Sequence, residues 1–450
     1  MSPEDTIFAL ASGAGRAGIA VIRLSGPIAG KTLERLCGGT LPPPRQATRA
    51  SFSDPNNDEG GVLDDGLALW FPAPSSFTGE DVAELHVHGG PAVIDAILTV
   101  LARLPGHRPA EAGEFSRRAF DNGKLDLTAA EGLADLIEAE TQAQRLQAQR
   151  QSRGELGRLY EAWRHSLIRA QALLEADLDF SDEDLPDDLV GEARTIATNL
   201  EQEIARHMDD GHRGERLRAG LYLAIIGPPN AGKSSLLNRL AKRDAAIISD
   251  IAGTTRDVID VHLDLGGYPV IAADTAGLRE ARDSIESEGV RRARERAGDA
   301  DMKLAVFDAT ELDGPAGLDA LTLDLIDDDT LVVLNKCDLV DKTLPKTIAK
   351  QPAFPLSAKT GVGFDALLDA LQAATATRFA GGGVSPTRQR HRQALNSCRQ
   401  SLARALATTD EPELMGEDLR IAARELGRIT GRVDVEDLLD VIFSEFCIGK

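Results

Sequence analysis

The sequence predicts a multidomain protein: an α+β N-terminal domain, a helical domain, and an inserted α/β module built on a doubly wound sheet. Three observations carry that expectation. The run GPPNAGKS (Gly227–Ser234) lies between an apolar stretch, Leu221–Ile226, and a helix start at Leu236–Leu240. Three more short motifs follow, each behind a buried-strand pattern: DTAG (Asp274–Gly277) after Val270–Ala273, NKCD (Asn335–Asp338) after Leu331–Leu334, and SAK (Ser357–Lys359) after Phe354–Leu356. Strands that alternate with helices in this way imply a parallel sheet. Third, the texture changes near residue 121, where short strands and Gly/Pro turns give way to Ala, Leu, Gln and Glu.

In chain order, residues 1–121 form the α+β domain. Residues 122–217 are helical, with an acidic, proline-containing break at Asp179–Asp188, a helix over Val190–Met208 and a polar hinge at Gly211–Gly220. The α/β module occupies 218–379, and FAGGGVSP (Phe379–Pro386) leads out of it. Residues 380–450 are helical again, broken at Thr408–Pro412. Each helical stretch has an amphipathic face that needs burial. Short connections favour one helical domain with halves 122–217 and 380–450 around the insertion. Two separate helical domains are the alternative.

Composition sets bounds. A chain of 450 residues exceeds one domain. Its four cysteines (Cys37, Cys337, Cys398, Cys447) show neither zinc nor disulfide spacing, which fits a reducing, cytoplasmic setting. No apolar run reaches spanning length, so no membrane role is expected. The formal charge of −22 argues against holding RNA by diffuse phosphate neutralisation. RNA contact by this chain should be weak, local or shared with a partner.

The motifs specify chemistry. GPPNAGKS fits G-x-x-x-x-G-K-[ST], whose backbone N–H groups, here across Asn230, Ala231, Gly232, Lys233, Ser234 and Ser235, cradle phosphates at a helix N-terminus. Lys233 supplies charge for the β- and γ-phosphates, and Ser234 a hydroxyl for Mg²⁺. In DTAG, Asp274 reaches the magnesium through water and Gly277 offers its N–H to the γ-phosphate, with Thr275 and Ala276 between. In NKCD, beside Asn335 and Lys336, the Asp338 carboxylate accepts from both N1–H and the 2-amino group of guanine. Adenine lacks those donors. Ser357, Ala358 and Lys359 cap the base. Four motifs in order make this a guanine-nucleotide module. A switch segment reads Ser249, Asp250, Ile251, Ala252, Gly253, Thr254, Thr255, and Thr254 or Thr255 can close on Mg²⁺. Leu278 stands where Ras-like proteins carry a water-orienting glutamine. Glu280, Asp283, Glu286 and Glu288 are the candidates to replace it, or are charges of a solvated loop. His86 and His88 share one face of a strand, as a metal pair or in a surface or core role.

These features together resemble the MnmE (TrmE) family of tRNA-modification GTPases. The match rests on the P-loop asparagine, GTTRD (Gly253–Asp257), DTAGLRE without the glutamine, and FCIGK (Phe446–Lys450). It extends to DTIFALASGAGRAGIAVIRLSGP (Asp5–Pro27), SFTGEDVAELHVHGGP (Ser76–Pro91) and GEFSRRAFDNGKLDLTAAEGLADLI (Gly113–Ile137). SGAGRAG at 12–18 departs from the proline-containing turn of the family. The resemblance implies a Ras-like GTPase module inserted in the helical domain. It implies hydrolysis stimulated by K⁺ at Asn230, Ser249, Ile251 and Thr254, Mg²⁺ at Ser234 and Thr255, and Glu286 as the group orienting water. It implies a folate-binding-like N-terminal domain, in which Arg23, Glu80, Lys124 and Lys450 contact 5,10-methylenetetrahydrofolate (5-formyltetrahydrofolate as a bound analogue). It implies a homodimer that joins the flavoprotein MnmG (GidA) in a heterotetramer. The product would be a carboxymethylaminomethyl or aminomethyl group at carbon 5 of the wobble uridine of certain tRNAs, with glycine or ammonium as amine. Cys447 is either a reactive thiol or part of a tail that docks. Two rivals share the P-loop: a ribosome-assembly switch like Era or Der, and a folate-dependent transferase that GTP only regulates. The N-terminal and FCIGK segments speak against the first.

Overall fold

The computed structural model describes residues 5–56, 61–179, 188–242, 260–274, 294–295, 297–312, 318–408, 411–433, 436–444 and 446–449. Internal contacts divide the chain into two units: Met1–Ala134 with Gln151–Glu201 and Ala394–Lys450, and Asp135–Arg150 with Gln202–Gln393.

In the first unit, period-2 alternation builds a sheet. Its strands are β1 (Thr6–Leu10), β2 (Ala17–Ser25), β3 (Thr48–Ser53), β4 (Val62–Phe71), β5 (Val82–Gly89) and β6 (His107–Pro109), in spatial order β3-β4-β5-β2-β1-β6. One face packs Ile22, Leu24 and Leu85 against Leu33, Leu36, Ile97 and Leu101 of the helices Ala29–Leu36 and Pro91–Arg103. The other face buries Ile7 and Ala9 with Phe115 of the helix Glu114–Asp121. The helical part follows the same logic at period 3.6. Leu156, Tyr160, Trp163, Leu167, Ala170 and Leu174 form a buried stripe on the helix Glu155–Asp179. It packs against the helix Pro412–Thr430, whose stripe is Met415, Leu419, Ala422, Leu426 and Ile429. The helix Glu436–Ser444 buries Leu439, Ile442 and Phe443 with Leu127 and Ala130 of the helix Leu127–Glu138.

The second unit holds a seven-stranded sheet in order β12-β13-β11-β10-β7-β9-β8. Its strands are β7 (Leu221–Ile226), β8 (Asp260–Leu265), β9 (Tyr268–Asp274), β10 (Met302–Asp308), β11 (Thr330–Asn335), β12 (Thr347–Ile348) and β13 (Gln351–Pro355). β9, β7, β10, β11 and β13 run parallel, and β8 and β12 are antiparallel additions. Every residue of β10 is buried, as a central strand with helices on both faces requires. The helices Lys233–Ala241 and Phe364–Arg378 fill one face through Leu236, Leu240, Phe364 and Leu367. This is the doubly wound sheet expected, and such sheets bind ligands beyond the C-terminal ends of their strands.

One local expectation fails. The Gly211–Gly220 segment, read as a polar hinge, contains the helix Arg213–Ala219. Its glycine serves packing: a Cβ on Gly214 would lie 2.3 Å from the Pro386 carbonyl oxygen.

Candidate guanine-nucleotide site and N-terminal cluster

The phosphate loop joins β7 to the helix Lys233–Ala241. Two glycines fit because a side chain would not. A Cβ on Gly227 would sit 2.3 Å from the Val306 carbonyl oxygen, and one on Gly232 would sit 2.1 Å from Asn335 Nδ2. Asn230 holds a left-handed conformation, φ 62. Lys233 is buried and its Nζ donates to the carbonyls of Gly227 and Pro228, each at 2.8 Å, so the ammonium spans its own loop. Ser234 and Ser235 are exposed in the first helical turn, which has no acidic residue. No acidic residue of that turn competes with a phosphate, so the cradle suits an anion and Ser234 suits its counter-ion.

Asn335 ties the motifs together. It is 2% exposed; its Nδ2 donates to the Ala231 carbonyl at 2.8 Å, and its Oδ1 accepts from the Ala358 N–H at 2.9 Å. One side chain therefore staples the phosphate loop to SAK. Ser357 is buried and its hydroxyl accepts from the Thr360 N–H at 3.1 Å, closing the cap turn. Lys359 and Asp338 are exposed. β9 ends at Asp274 opposite Ile225, so DTAG starts beside the phosphate loop. The geometry thus brings Asn230, Ala231, Gly232, Lys233, Ser234, Ser235, Asn335, Lys336, Asp338, Ser357, Ala358 and Lys359 to one end of the sheet. Ser249, Asp250, Ile251, Ala252, Gly253, Thr254, Thr255, Thr275, Ala276, Gly277, Glu286 and Lys450 lie outside the described residues, as does the side chain of Asp274.

Two residues here carried no sequence signal. Arg239 donates to the carbonyls of Ala358 (2.7 Å) and Lys359 (3.0 Å) and lies over the Phe364 ring, 5.8 Å from its centroid. Asp308, at the end of β10, pairs with Lys336. Burial pushes the Asp308 carboxyl up, but the hydrogen bonds from Lys336 and Thr310 outweigh it and hold it below the usual carboxylate range. Both partners are tens of residues distant, beyond any motif spacing.

On the N-terminal sheet, Arg23 lies across from Glu84 on β5; its Nε donates to Glu84 at 3.0 Å and its guanidinium lies over Phe77 and Phe115. Glu80 accepts from the Ser25 hydroxyl at 2.8 Å and from buried Arg118 at 3.0 Å. Lys124 is exposed, with Cε 3.2 Å from where a Gly79 Cβ would be. Arg23 and Glu80 thus share a neighbourhood through Ser25, and Lys124 borders Glu80's loop. A cluster of guanidinium, ammonium, carboxylate and aromatic rings suits a flat ligand with both N–H donors and a carboxylate. Glu84 and Arg118, absent from the sequence expectation, are its fixed partners. His86 and His88 each meet a carboxylate, Glu84 at 3.2 Å and Asp64 at 2.8 Å. Among the described residues no group of three metal-ligating side chains occurs.

The C-terminal tail docks on this domain. Phe446 is buried, Ile448 forms an antiparallel bridge with Ala112, and Gly449 takes φ 99 where a Cβ would be 2.2 Å from the Leu10 carbonyl oxygen. Of the four cysteines only Cys447 is exposed. It lines a cavity of about 860 Å³ with Phe8, Leu10, Asp95, Leu98 and Ile448. Burial pushes the other thiols up, Cys37 to about 11 and Cys398 to about 12, which disfavours their thiolates.

The sheet, the phosphate loop and the SAK turn stapled to it define a P-loop GTPase, here carried on a chain with an α+β domain and a helical array of its own. Known proteins agree. The profile of the GTP-binding protein TrmE N-terminus matches residues 6–124, and that of the MnmE helical domain matches residues 127–447. The tRNA modification GTPase MnmE of Paramagnetospirillum magneticum is 58% identical over 452 residues, spanning 99% of this chain and 100% of its own. That of Rhodospirillum rubrum is 57% identical over 457 residues, with 99% of each chain covered. The chain belongs to the MnmE family of tRNA modification GTPases. Among the described residues no helix is long and apolar enough to cross a membrane.

Proposed function

We propose that this protein is the GTP-hydrolysing component of a complex that adds a carboxymethylaminomethyl or aminomethyl group to carbon 5 of the wobble uridine of certain tRNAs. The carbon comes from 5,10-methylenetetrahydrofolate, and the redox step belongs to the flavoprotein partner MnmG, bound to a homodimer of this chain in the cytoplasm. The observation that carries this reading is the docking of the Cys447 tail on the N-terminal domain, remote in sequence from every nucleotide motif. A switch that only cycled GTP would have no use for an exposed thiol held beside a cavity on a folate-binding-like domain. Arg23, Glu80, Lys124 and Lys450 would hold the folate, which supplies the one-carbon unit. The inserted arrangement 122–217, 218–379 and 380–450 belongs to this reading. The deciding experiment is nucleoside analysis of tRNA from a deletion strain. Loss of a C5-modified wobble uridine is expected; an unchanged nucleoside profile would reject the role.

Within the GTPase module, Ser234 and Thr255 would hold Mg²⁺, and Asn230, Ser249, Ile251 and Thr254 would hold K⁺, each neutralising charge that develops on the phosphates. The exposed, left-handed Asn230 supports the K⁺ reading. Turnover is expected to be faster in K⁺ than in Na⁺ at matched ionic strength, and equal rates would remove K⁺ from the mechanism.

Leu278 cannot orient water, so Glu286 takes that part. Glu286→Ala is expected to lower kcat about 100-fold or more, the scale of a lost positioned acid–base or orienting group. GDP affinity should stay near the wild-type value, because an orienting role toward the attacking water implies no contact with GDP. Near-normal turnover would pass the role to Glu280.

A further inference from the structure

Two strands meet behind the base-reading loop in a way that the NKCD motif does not explain. β10 ends at Asp308, whose register partner on β11 is Asn335. The Asp308 side chain is buried and its oxygens are occupied. One accepts from the Thr310 N–H at 2.9 Å and from its hydroxyl at 2.7 Å, and the other from Lys336 Nζ at 2.5 Å. Lys336 has φ 64, a left-handed conformation that a lysine holds only when its surroundings impose it. The next peptide is fixed too, since the Cys337 N–H donates to the Leu356 carbonyl at 3.1 Å. Asp338 follows at once, exposed, in the short 3₁₀ turn Cys337–Leu339. The motif is thus divided: Asn335 belongs to the scaffold, Lys336 is moored to another strand, and Asp338 is presented outward.

We propose that Asp308 is a positioning residue for guanine recognition: by mooring Lys336 it fixes the left-handed turn that aims the Asp338 carboxylate. This rests on NKCD being the base reader. Hypoxanthine keeps the N1–H of guanine and lacks the 2-amino group. An aimed carboxylate accepts from two donors of guanine and one of hypoxanthine, so preference for GDP over IDP measures the aim of Asp338. An ion pair that only pinned β10 to β11 would alter stability and leave that preference alone.

The test measures Kd of the full chain for GDP and for IDP. The variants are Asp308→Asn, which keeps volume and the acceptor for Thr310, Lys336→Met, and the double variant. Wild type should prefer GDP. Asp308→Asn should weaken GDP about tenfold and IDP much less, and in the Lys336→Met background it should add nothing, as expected of residues that act through one another. An unchanged GDP/IDP ratio in Asp308→Asn, or additive losses in the double variant, would overturn the proposal. Equal GDP and IDP affinity in wild type would instead overturn the base-reader reading on which it stands. Should Asp308→Asn not fold, Thr310→Val loosens the same carboxylate and leaves the Lys336 pair. A smaller fall in the ratio is then expected, and no fall overturns the proposal.

Discussion

Asn335→Ala should abolish nucleotide binding at concentrations that saturate the wild-type protein, and should lower the melting temperature of the nucleotide-free chain. The side chain is buried and makes two bonds, to the Ala231 carbonyl and from the Ala358 N–H. Truncation strands both backbone groups away from water at about 1–3 kcal/mol each. It also opens space beneath Gly232, whose backbone packs against the lost amide. The phosphate loop and the SAK turn then lose their mutual register, so both ends of a guanine nucleotide lose their seat together. Asn335→Asp separates the two bonds. It keeps an acceptor for Ala358 and sets a carboxylate against the Ala231 carbonyl, so it should also fail to bind. GDP affinity within twofold of wild type in either variant would show that the staple is dispensable.

Gly449→Val should eliminate tRNA modification and leave GTP turnover intact. At φ 99 a β-branched residue is strained, and its Cβ would fall 2.2 Å from the Leu10 carbonyl oxygen. The bridge between Ile448 and Ala112 cannot survive beside that clash. The tail should lift from Cys447 onward, since Phe446 stays buried in the helical cluster. Cys447 and Ile448 then leave the N-terminal domain together. Cys447→Ser separates chemistry from docking by keeping the tail seated without its nucleophile. Loss of modification in both variants assigns the thiol a chemical part. Loss in Gly449→Val alone makes the tail a positional element. Normal modification by Gly449→Val would remove the tail from the reaction.

What was legible in the sequence was what is local in sequence. Each nucleotide motif is a strand end and the loop behind it, so Leu221–Ile226 with GPPNAGKS, or Leu331–Leu334 with NKCD, announces both element and chemistry within one short stretch of chain. Asn335 was legible as a member of a motif, but its service as a staple was not, because Ala231 and Ala358 are 104 and 23 residues away. Asp308, Arg239, Glu84 and Arg118 were missed for the same reason. Each is an ordinary charge until the fold supplies Lys336, Ala358, Arg23 or Glu80. The helix Arg213–Ala219 was hidden by the glycines in and around it, since Gly214 is there to let Pro386 approach and not to bend the chain. Arg23 and Glu80 were found only through resemblance, because no spacing rule links residues on different strands.

The β8–β9 hairpin sets a rule for how this module can change shape. β8 opens at Asp260, directly after the threonine-bearing segment, and β9 closes at Asp274, the first residue of DTAG. The two strands pair from Asp260↔Ala273 to Leu265↔Tyr268. A slip of one residue would turn Leu263, Leu265, Val270 and Ala272 out of the core, where all are buried. The ladder therefore behaves as a yoke: it holds the two strand ends, Asp260 and Asp274, at one fixed spacing. The far end of the yoke is tethered, since the Gly267 carbonyl accepts from the Ala143 N–H at 3.0 Å, and along β8 His262 meets Glu140 at 3.0 Å. The strand end beside the phosphate loop is thus strapped to the chain around residue 140 through one hairpin, laid down by the backbone itself.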